Sequence, residues 1–258
     1  MDRIAAGEYS ERKRSSISLQ DALSQLDFEQ MLAQMESIGA FLITREDSDW
    51  PISLDDLKAP PFALIGRGSR SALTGISSSL SIVGTRNPTE YGVRVAGDFA
   101  AGAIDRGWSV VSGGAFGIDS AAHRGALLAE GETIAILGGG VNSIFPSGND
   151  RLFREILENG LLLSEVLPNV HAIPARFLIR NRIIAAISRT TVVVEAAFRS
   201  GSLRTARDAA EIFRPVLAVP GPINSPTSDG CHRLIGERTA EIVTSITDLM
   251  ELVGPLAL

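Results

Sequence analysis

Arginine is gathered in one part of an otherwise acidic chain. Between His171 and Ala210 stand Arg176, Arg180, Arg182, Arg189, Arg199, Arg204 and Arg207, opposed only by Glu195 and Asp208, while the formal net charge is -6. A guanidinium is a planar fork of N–H donors that matches phosphate oxygens. Arginine concentrated in this way marks an anion site. The order of the stretch adds to its charge. Pro174 suits the first turn of a helix, where its missing N–H costs nothing, and the helix is expected to run to about Ser188. A β-branched run at Thr191–Glu195 follows, then the turn Arg199-Ser200-Gly201-Ser202, then a second helix over Leu203–Phe213. At about 100° per residue, Ile179, Ile183 and Ile187 share a face with Arg176 and Arg180. An inward arginine near a helix N-terminus opposes the macrodipole and is desolvated, and a bound anion would relieve both costs. The alternative is that both side chains reach back to water or pair with a carboxylate.

Such a stretch needs a frame, and the rest of the sequence supplies one. Apolar strands are expected at Leu80–Gly84, Ser109–Gly113, Thr133–Leu137, Leu161–Ser164, Thr191–Glu195, Val216–Val219 and Glu241–Thr244. Helices are expected between them at Gly92–Arg106, Asp119–Glu130, Asp150–Glu158, Ala175–Ser188, Leu203–Phe213 and Ile246–Leu252. This alternation predicts an α/β fold, a mostly parallel sheet with helices on both faces. Ligands of such sheets bind at the carboxyl ends of the strands. Those ends carry Gly84-Thr85-Arg86, then Ser112-Gly113-Gly114 with Gly117 and Asp119, then Gly138-Gly139-Gly140, and finally Arg199–Ser202. Small residues let backbone amides approach an anion, and helix N-termini attract it. Any one of these glycines could equally serve only to close a tight turn; the significant feature is that all of them fall on one edge.

Several chemistries are disfavoured. A nicotinamide site wants G-x-G-x-x-G after the first strand, where GTRNPTEYG stands. A P-loop needs a lysine after its glycines, and Lys13 and Lys58 are the only lysines. One cysteine and scattered histidines (His123, His171, His232) predict neither a disulfide framework nor a metal site, and no cofactor is expected. No long apolar run or signal-peptide pattern is seen, so a reducing, cytoplasmic compartment is expected, with no membrane partner. Glu195 and Asp119 could act as acid or base. Otherwise Glu195 pairs with a crevice arginine, and Asp119 serves a helix start favoured by the dipole. No catalytic residue is assigned. The reading left is a groove for a polyanion, single-stranded nucleic acid above all, with arginines on phosphates and an aromatic for stacking. Phe177 beside Arg176 is the aromatic candidate, core packing being its other possible role.

At 258 residues and 45% hydrophobic content, the chain can bury one large domain and a small appendage. Residues 1–15 are polar and expected to be disordered, and Ser18 is placed to cap a helix over Leu19–Ser37. Short strands are expected at Phe41–Thr44 and Phe62–Ile65, around a proline-punctuated linker over Trp50–Pro61. The expected division is therefore a helical extension over 1–49 and the α/β domain over 50–258.

An ordered series of segments resembles the DNA-processing protein A family, also called DprA or Smf. The segments are SIVGTRNPTEYG at 81–92, SGGAFGIDSAAHRGAL at 112–127, AILGGGVNSIFPSGN at 135–149, FLIRNRIIAAIS at 177–188, VVVEAAFRSGSLRTARDA at 192–209 and AVPGPINSPTSDGCHRLI at 218–235. The resemblance implies an extended Rossmann-like domain that binds single-stranded DNA, delivers it to the RecA recombinase in natural transformation and acts as a homodimer without turnover. It implies a DNA pocket of Arg86, the Ser112-Gly113-Gly114 turn, Phe177, Arg180, Asn181 and Arg182, bordered by the turn from Arg199 through Arg204 and Thr205 to Ala206. The sequence departs from the family at Phe116, where a basic residue is usual, and at Phe213-Arg214, where a glycine and a charged residue are usual. A C-terminal winged-helix domain, frequent in the family, is not expected up to Leu258. The enzymatic alternative is a nucleoside-monophosphate phosphoribohydrolase of the lysine-decarboxylase-like group. Its P-G-G-x-G-T-x-x-E signature is replaced here by SGSLRT.

Overall fold

A computed structural model of the chain describes residues 28–254. The expected disorder of residues 1–15 and the start of the helix expected from Leu19 lie outside them. The end of that helix is α1 (Phe28–Ser37). From Ala40 onward the described residues form one compact unit. It therefore begins ahead of the expected boundary at residue 50, because β1 (Ala40–Thr44) already pairs antiparallel with β2 (Ala63–Gly68).

The chain continues through β3 (Ser79–Val83), α2 (Glu90–Ile104), β4 (Ser109–Ser112), α3 (Ile118–Leu128), β5 (Thr133–Ile136), α4 (Asp150–Asn159) and β6 (Leu161–Ser164). It ends with α5 (Pro174–Ile187), β7 (Thr190–Val193), α6 (Ser202–Glu211), β8 (Val216–Ala218), α7 (Asp229–Gly236), β9 (Glu241–Ile242) and α8 (Ile246–Val253). The strands form one nine-stranded sheet in the order β1-β2-β6-β5-β4-β3-β7-β8-β9. From β6 to β9 every neighbouring pair is parallel. This is the expected doubly wound Rossmann-like α/β architecture.

Alternation along the central strands sends successive side chains to opposite faces. Ile82 and Val192 pack with Ala96, Phe99 and Ala100 of α2 and Ile118 and Ala122 of α3. Val83 and Val193 pack with Ile183 and Ile184 of α5 and Leu203 and Ala206 of α6. Trp50, Leu54 and Leu57, in the proline-punctuated segment, are buried in this second cluster. A fully buried aliphatic side chain contributes about 1.5–3 kcal/mol. Helix α7 was not among the expected elements. It follows the Pro-, Ser- and Gly-rich run of residues 220–228, which reads as loop, and has only Cys231, Leu234 and Ile235 as apolar anchors.

The strand order decides where a ligand can sit. Connections run outward from β3 through β4 and β5 to β6, then α5 crosses back and places β7 on the other side of β3. The two loops leaving β3 and β7 therefore diverge and open a crevice at the carboxyl rim.

Two features of α3 fix its position beside that crevice. Gly125 touches α2 so closely that a Cβ would come 2.5 Å from the Gly97 carbonyl oxygen, whereas a Cβ on Gly97 would meet nothing within 4 Å. His123 is fully buried, and its Nδ1 lies 2.7 Å from the Thr133 hydroxyl, which itself donates to the Val110 carbonyl. Nδ1 is therefore the protonated nitrogen, and Nε2 is left as a buried acceptor without a partner. Burial pushes the imidazole down to about 3.

Two outcomes follow. Gly125→Ala should lower unfolding free energy by about 1–3 kcal/mol through overpacking, while Gly97→Ala should be neutral or stabilising by up to about 1 kcal/mol, as read from urea midpoints. The His123 pKa is lower folded than unfolded, so its contribution to stability is complete above the ordinary histidine value of 6.5 and is lost as pH falls toward about 3. Over pH 6 to 5, His123 should cost up to about 1.4 kcal/mol per pH unit. That slope should be missing from urea titrations of His123→Gln.

Candidate nucleic-acid interface

The crevice is held open by loops that touch through their backbones. The Thr85 N–H donates to the Glu195 carbonyl at 2.6 Å, and the Ile118 N–H donates to the Thr85 carbonyl at 3.1 Å. The loops after β3, β4 and β7 are thereby tied together. Gly84 permits this approach, since a Cβ there would lie 2.5 Å from the Ile118 side chain and 2.7 Å from the Glu195 carbonyl. Gly117 has φ of 82°, and a Cβ there would collide with the Thr85 carbonyl.

Arg180 projects from α5 into the centre of the crevice and is only 6% exposed. Its Nη1 donates to the Ile136 carbonyl at the end of β5, at 2.7 Å, and its Nε is buried without a partner among the described residues. Burial lowers its pKa to about 10, and the facing Asp119 works against that shift. Asp119 is buried too, which raises its pKa. The Arg180 charge and the Ala115 and Gly113 amides, which donate to its carboxylate at 3.4 and 3.1 Å, oppose the rise. Among the described residues Arg180 makes no direct ion pair.

Phe177, one turn earlier on α5, forms the apolar wall. The Arg86 and Arg180 guanidinium carbons lie 5.5 and 5.9 Å from its ring centre. This is cation–π range. Its ring also packs on Phe145 at 5.8 Å. Across the crevice, Asn181 Nδ2 donates to the Gly201 carbonyl at 3.2 Å and fixes α5 to the turn that starts α6. The result is a cleft of about 390 Å³. Gly84, Arg86, Phe177, Arg180, Asn181, Arg199, Ser200, Gly201, Ser202 and Thr205, all expected from the sequence, line it. The N-terminus of α6 opens onto the same space and adds the positive end of its dipole.

Other expected residues are engaged elsewhere. Ser112 donates to the Ile82 carbonyl inside the sheet. Gly113 lies directly behind Arg180, where a Cβ would collide with the guanidinium. Gly114, at φ of 69°, packs against Phe153. Arg176 does not face inward: it is half-exposed, and its Nη1 donates to the His171 carbonyl at 2.6 Å. Ile179, expected on the packed face, is 55% exposed. Arg182 is held by both Glu165 oxygens at 2.6 and 2.8 Å, and Arg204 pairs with Asp208 at 2.6 Å. Among the described residues Glu195 pairs with no arginine. Its carboxylate accepts from the Thr89 N–H and hydroxyl at 2.9 and 2.7 Å and from the Thr227 hydroxyl at 3.2 Å, so it anchors the start of α2. Sequence reasoning missed Thr85, Ala115, Leu178 and Ala197 in the lining, and Phe145 behind Phe177. Ala115 and Phe145 lie in the β4 and β5 exit loops, and neither carries a charge or a turn signal that would mark it.

Arg180→Ala should lower unfolding free energy by about 3 kcal/mol or more, because Asp119 is then left buried without its cation. Arg86→Ala, at an exposed position, should cost less than about 1 kcal/mol. Chemical denaturation compares the two, and adding Asp119→Asn to Arg180→Ala should recover part of the loss.

The family model described as DNA recombination-mediator protein A matches residues 41–254. A relative from Mycobacterium tuberculosis is 43% identical over 233 residues, covering 84% of this chain and 58% of the relative. The DNA processing protein DprA of Bacillus subtilis is 35% identical, covering 86% of this chain and 74% of its own length. The crystal structure of DNA processing protein A from Streptococcus pneumoniae superposes with a TM-score of 0.85 at 33% identity, covering 96% of this chain and 84% of that one. A structure of DNA processing protein A from Helicobacter pylori, described for its single-stranded DNA binding mode, superposes with a TM-score of 0.74 at 30% identity. It covers 83% of this chain and 94% of that one.

Proposed function

The chain belongs to the DNA recombination-mediator protein A family, and on that footing we propose that its cleft binds single-stranded DNA. One observation carries the reading. Arg86 from the β3 loop, Arg180 from α5 and Arg199 from the β7 loop line one cleft, and two of them sit over a single aromatic ring. Arginines beside a ring suit a strand whose phosphates need cations and whose unpaired bases offer flat faces. Arg86 and Arg199 are exposed and take phosphates directly. Arg180, already spending one N–H on Ile136, gives the cleft a fixed positive floor. The turn amides at Gly201 and Ser202 and the α6 dipole add to it. Few groups in the lining read base edges, so sequence preference is slight.

The protein binds without turnover in this reading, since the Glu195 carboxylate is committed to Thr89 and Thr227. Delivery of the strand to RecA during natural transformation, and action as a homodimer, are proposed on family membership alone. The mycobacterial relative is longer, with 58% of its length spanned by this chain, so these roles are assigned to the shared domain only.

Fluorescence anisotropy with labelled oligonucleotides tests the proposal. Single strands should bind more tightly than duplexes of the same length. If about four phosphates are neutralised, log K should fall with log salt at a slope of about -3. Arg86→Ala and Arg199→Ala should each flatten it by about 0.7. A flat salt dependence, or release of free base from nucleoside monophosphates, would defeat the reading.

A further inference from the structure

We propose that Phe116 and Phe145 form a base-stacking shelf that carries the bound strand out of the cleft and over the loop between β5 and α4. The inference rests on the cleft's being a single-strand site. Both rings stand in water, Phe116 46% exposed and Phe145 52% exposed. An exposed Phe forgoes the burial its type usually gains, and here two of them flank one loop beside the arginine cleft.

The rings are mounted on fixed backbone. Phe116 stands between Ala115, which lines the cleft, and Gly117, which is locked against the backbone of Thr85 and Arg86. A Cβ on Gly148 would come 2.8 Å from the tip of the Phe116 ring, so that ring lies against the loop. Asn149 ties the loop down: its Nδ2 donates to the Gly114 carbonyl at 3.0 Å and to the Ser120 hydroxyl at 2.8 Å. Phe145, on the same loop, packs on Phe177 at 5.8 Å with the planes tilted by 53°. Aromatic surface therefore starts under the Arg86 and Arg180 guanidiniums with Phe177 and Phe145, and Phe116 lies against the same loop three residues further on, at Gly148.

Bases are the occupant that this path fits. It begins at the cationic cleft, and beyond Gly148 it meets a groove bordered by Arg124 and by Arg151, the latter paired with Glu155 at 2.8 Å. Arg124 is exposed and has no partner among the described residues. A strand leaving the cleft thus finds rings for its bases and, in Arg124, a further unpaired cation for a phosphate. Preorganised rings cost little entropy to use.

The test is anisotropy with labelled oligothymidine at several salt concentrations, using the full chain. Phe116→Ala should weaken binding about tenfold. Its log–log salt slope should match that of the wild type, because stacking releases no counterions. Phe145→Ala should act in the same direction. Phe116→Arg should steepen the slope by about 0.7, by adding a phosphate contact. On an oligonucleotide with abasic sites in place of its bases, wild type and Phe116→Ala should bind equally. Unchanged affinity of both alanine variants for oligothymidine overturns the shelf and leaves the cleft intact. A loss accompanied by a changed slope, or one that persists on the abasic strand, overturns stacking as its cause. Absence of single-strand binding by the wild type overturns the cleft reading and the shelf with it. An unchanged melting transition in each variant excludes unfolding as the cause, as expected for half-exposed side chains.

Discussion

A desolvated guanidinium at the carboxyl rim of the sheet constrains everything around it. Removing an arginine from water is costly unless its charge is answered and its N–H groups are bound. Arg180 is answered only in part, by the Ile136 carbonyl and by Asp119 facing it. Asp119 in turn is held at the start of α3 by two backbone amides. The pair bridges two strand exits, so β4 and β5 must keep their register for either charge to be tolerated. One donor, Nε, is still left over. A site built this way is short of acceptors, which the anionic ligand of the proposed function would supply.

Backbone contact is the means by which the rim accommodates that pair. Gly84, Gly113 and Gly117 each stand where a Cβ would strike a neighbouring loop or the guanidinium itself. These glycines bring the loops close enough for three exits to share one cleft, and that closeness excludes water from Arg180. Glu195 works at the same junction from the other side. By binding the Thr89 N–H and hydroxyl it fixes the start of α2, next to the loop that carries Arg86.

The architecture could be read from the sequence because strands buried on both faces leave unbroken apolar runs. Such runs end where the chain turns, so the strand exits, and with them Arg86, Arg180 and Arg199, could be placed on one rim. The pairing of each arginine was harder to read. Glu165 meets Arg182 only because the chain leaving β6 folds back beside α5, and no local spacing signals it. The Arg204–Asp208 pair does have helical i,i+4 spacing and was legible in principle. The phase of α5 misled for a different reason. From Arg180 to Ile187 the helix is buried nearly all the way round, while Leu178 and Ile179 are open to solvent. Burial there depends on depth along the axis, which a helical wheel does not describe.

The net charge of -6 raises the question of how a polyanion could be held at all. Screening resolves it. At physiological ionic strength the Debye length is about 8 Å, so distant surface carboxylates are largely invisible to a ligand in the cleft. What the ligand senses is the local set, and that set is strongly biased. Arg182 and Arg204 are neutralised by Glu165 and Asp208, whereas Arg86 and Arg199 have no ion pair among the described residues, and the low polarisability around Arg180 strengthens its field. Binding of the proposed ligand would therefore be decided by a few unpaired cations in a narrow space rather than by overall charge. The acidic remainder acts at longer range and mainly at low salt, where it opposes indiscriminate adhesion of nucleic acid to the rest of the surface.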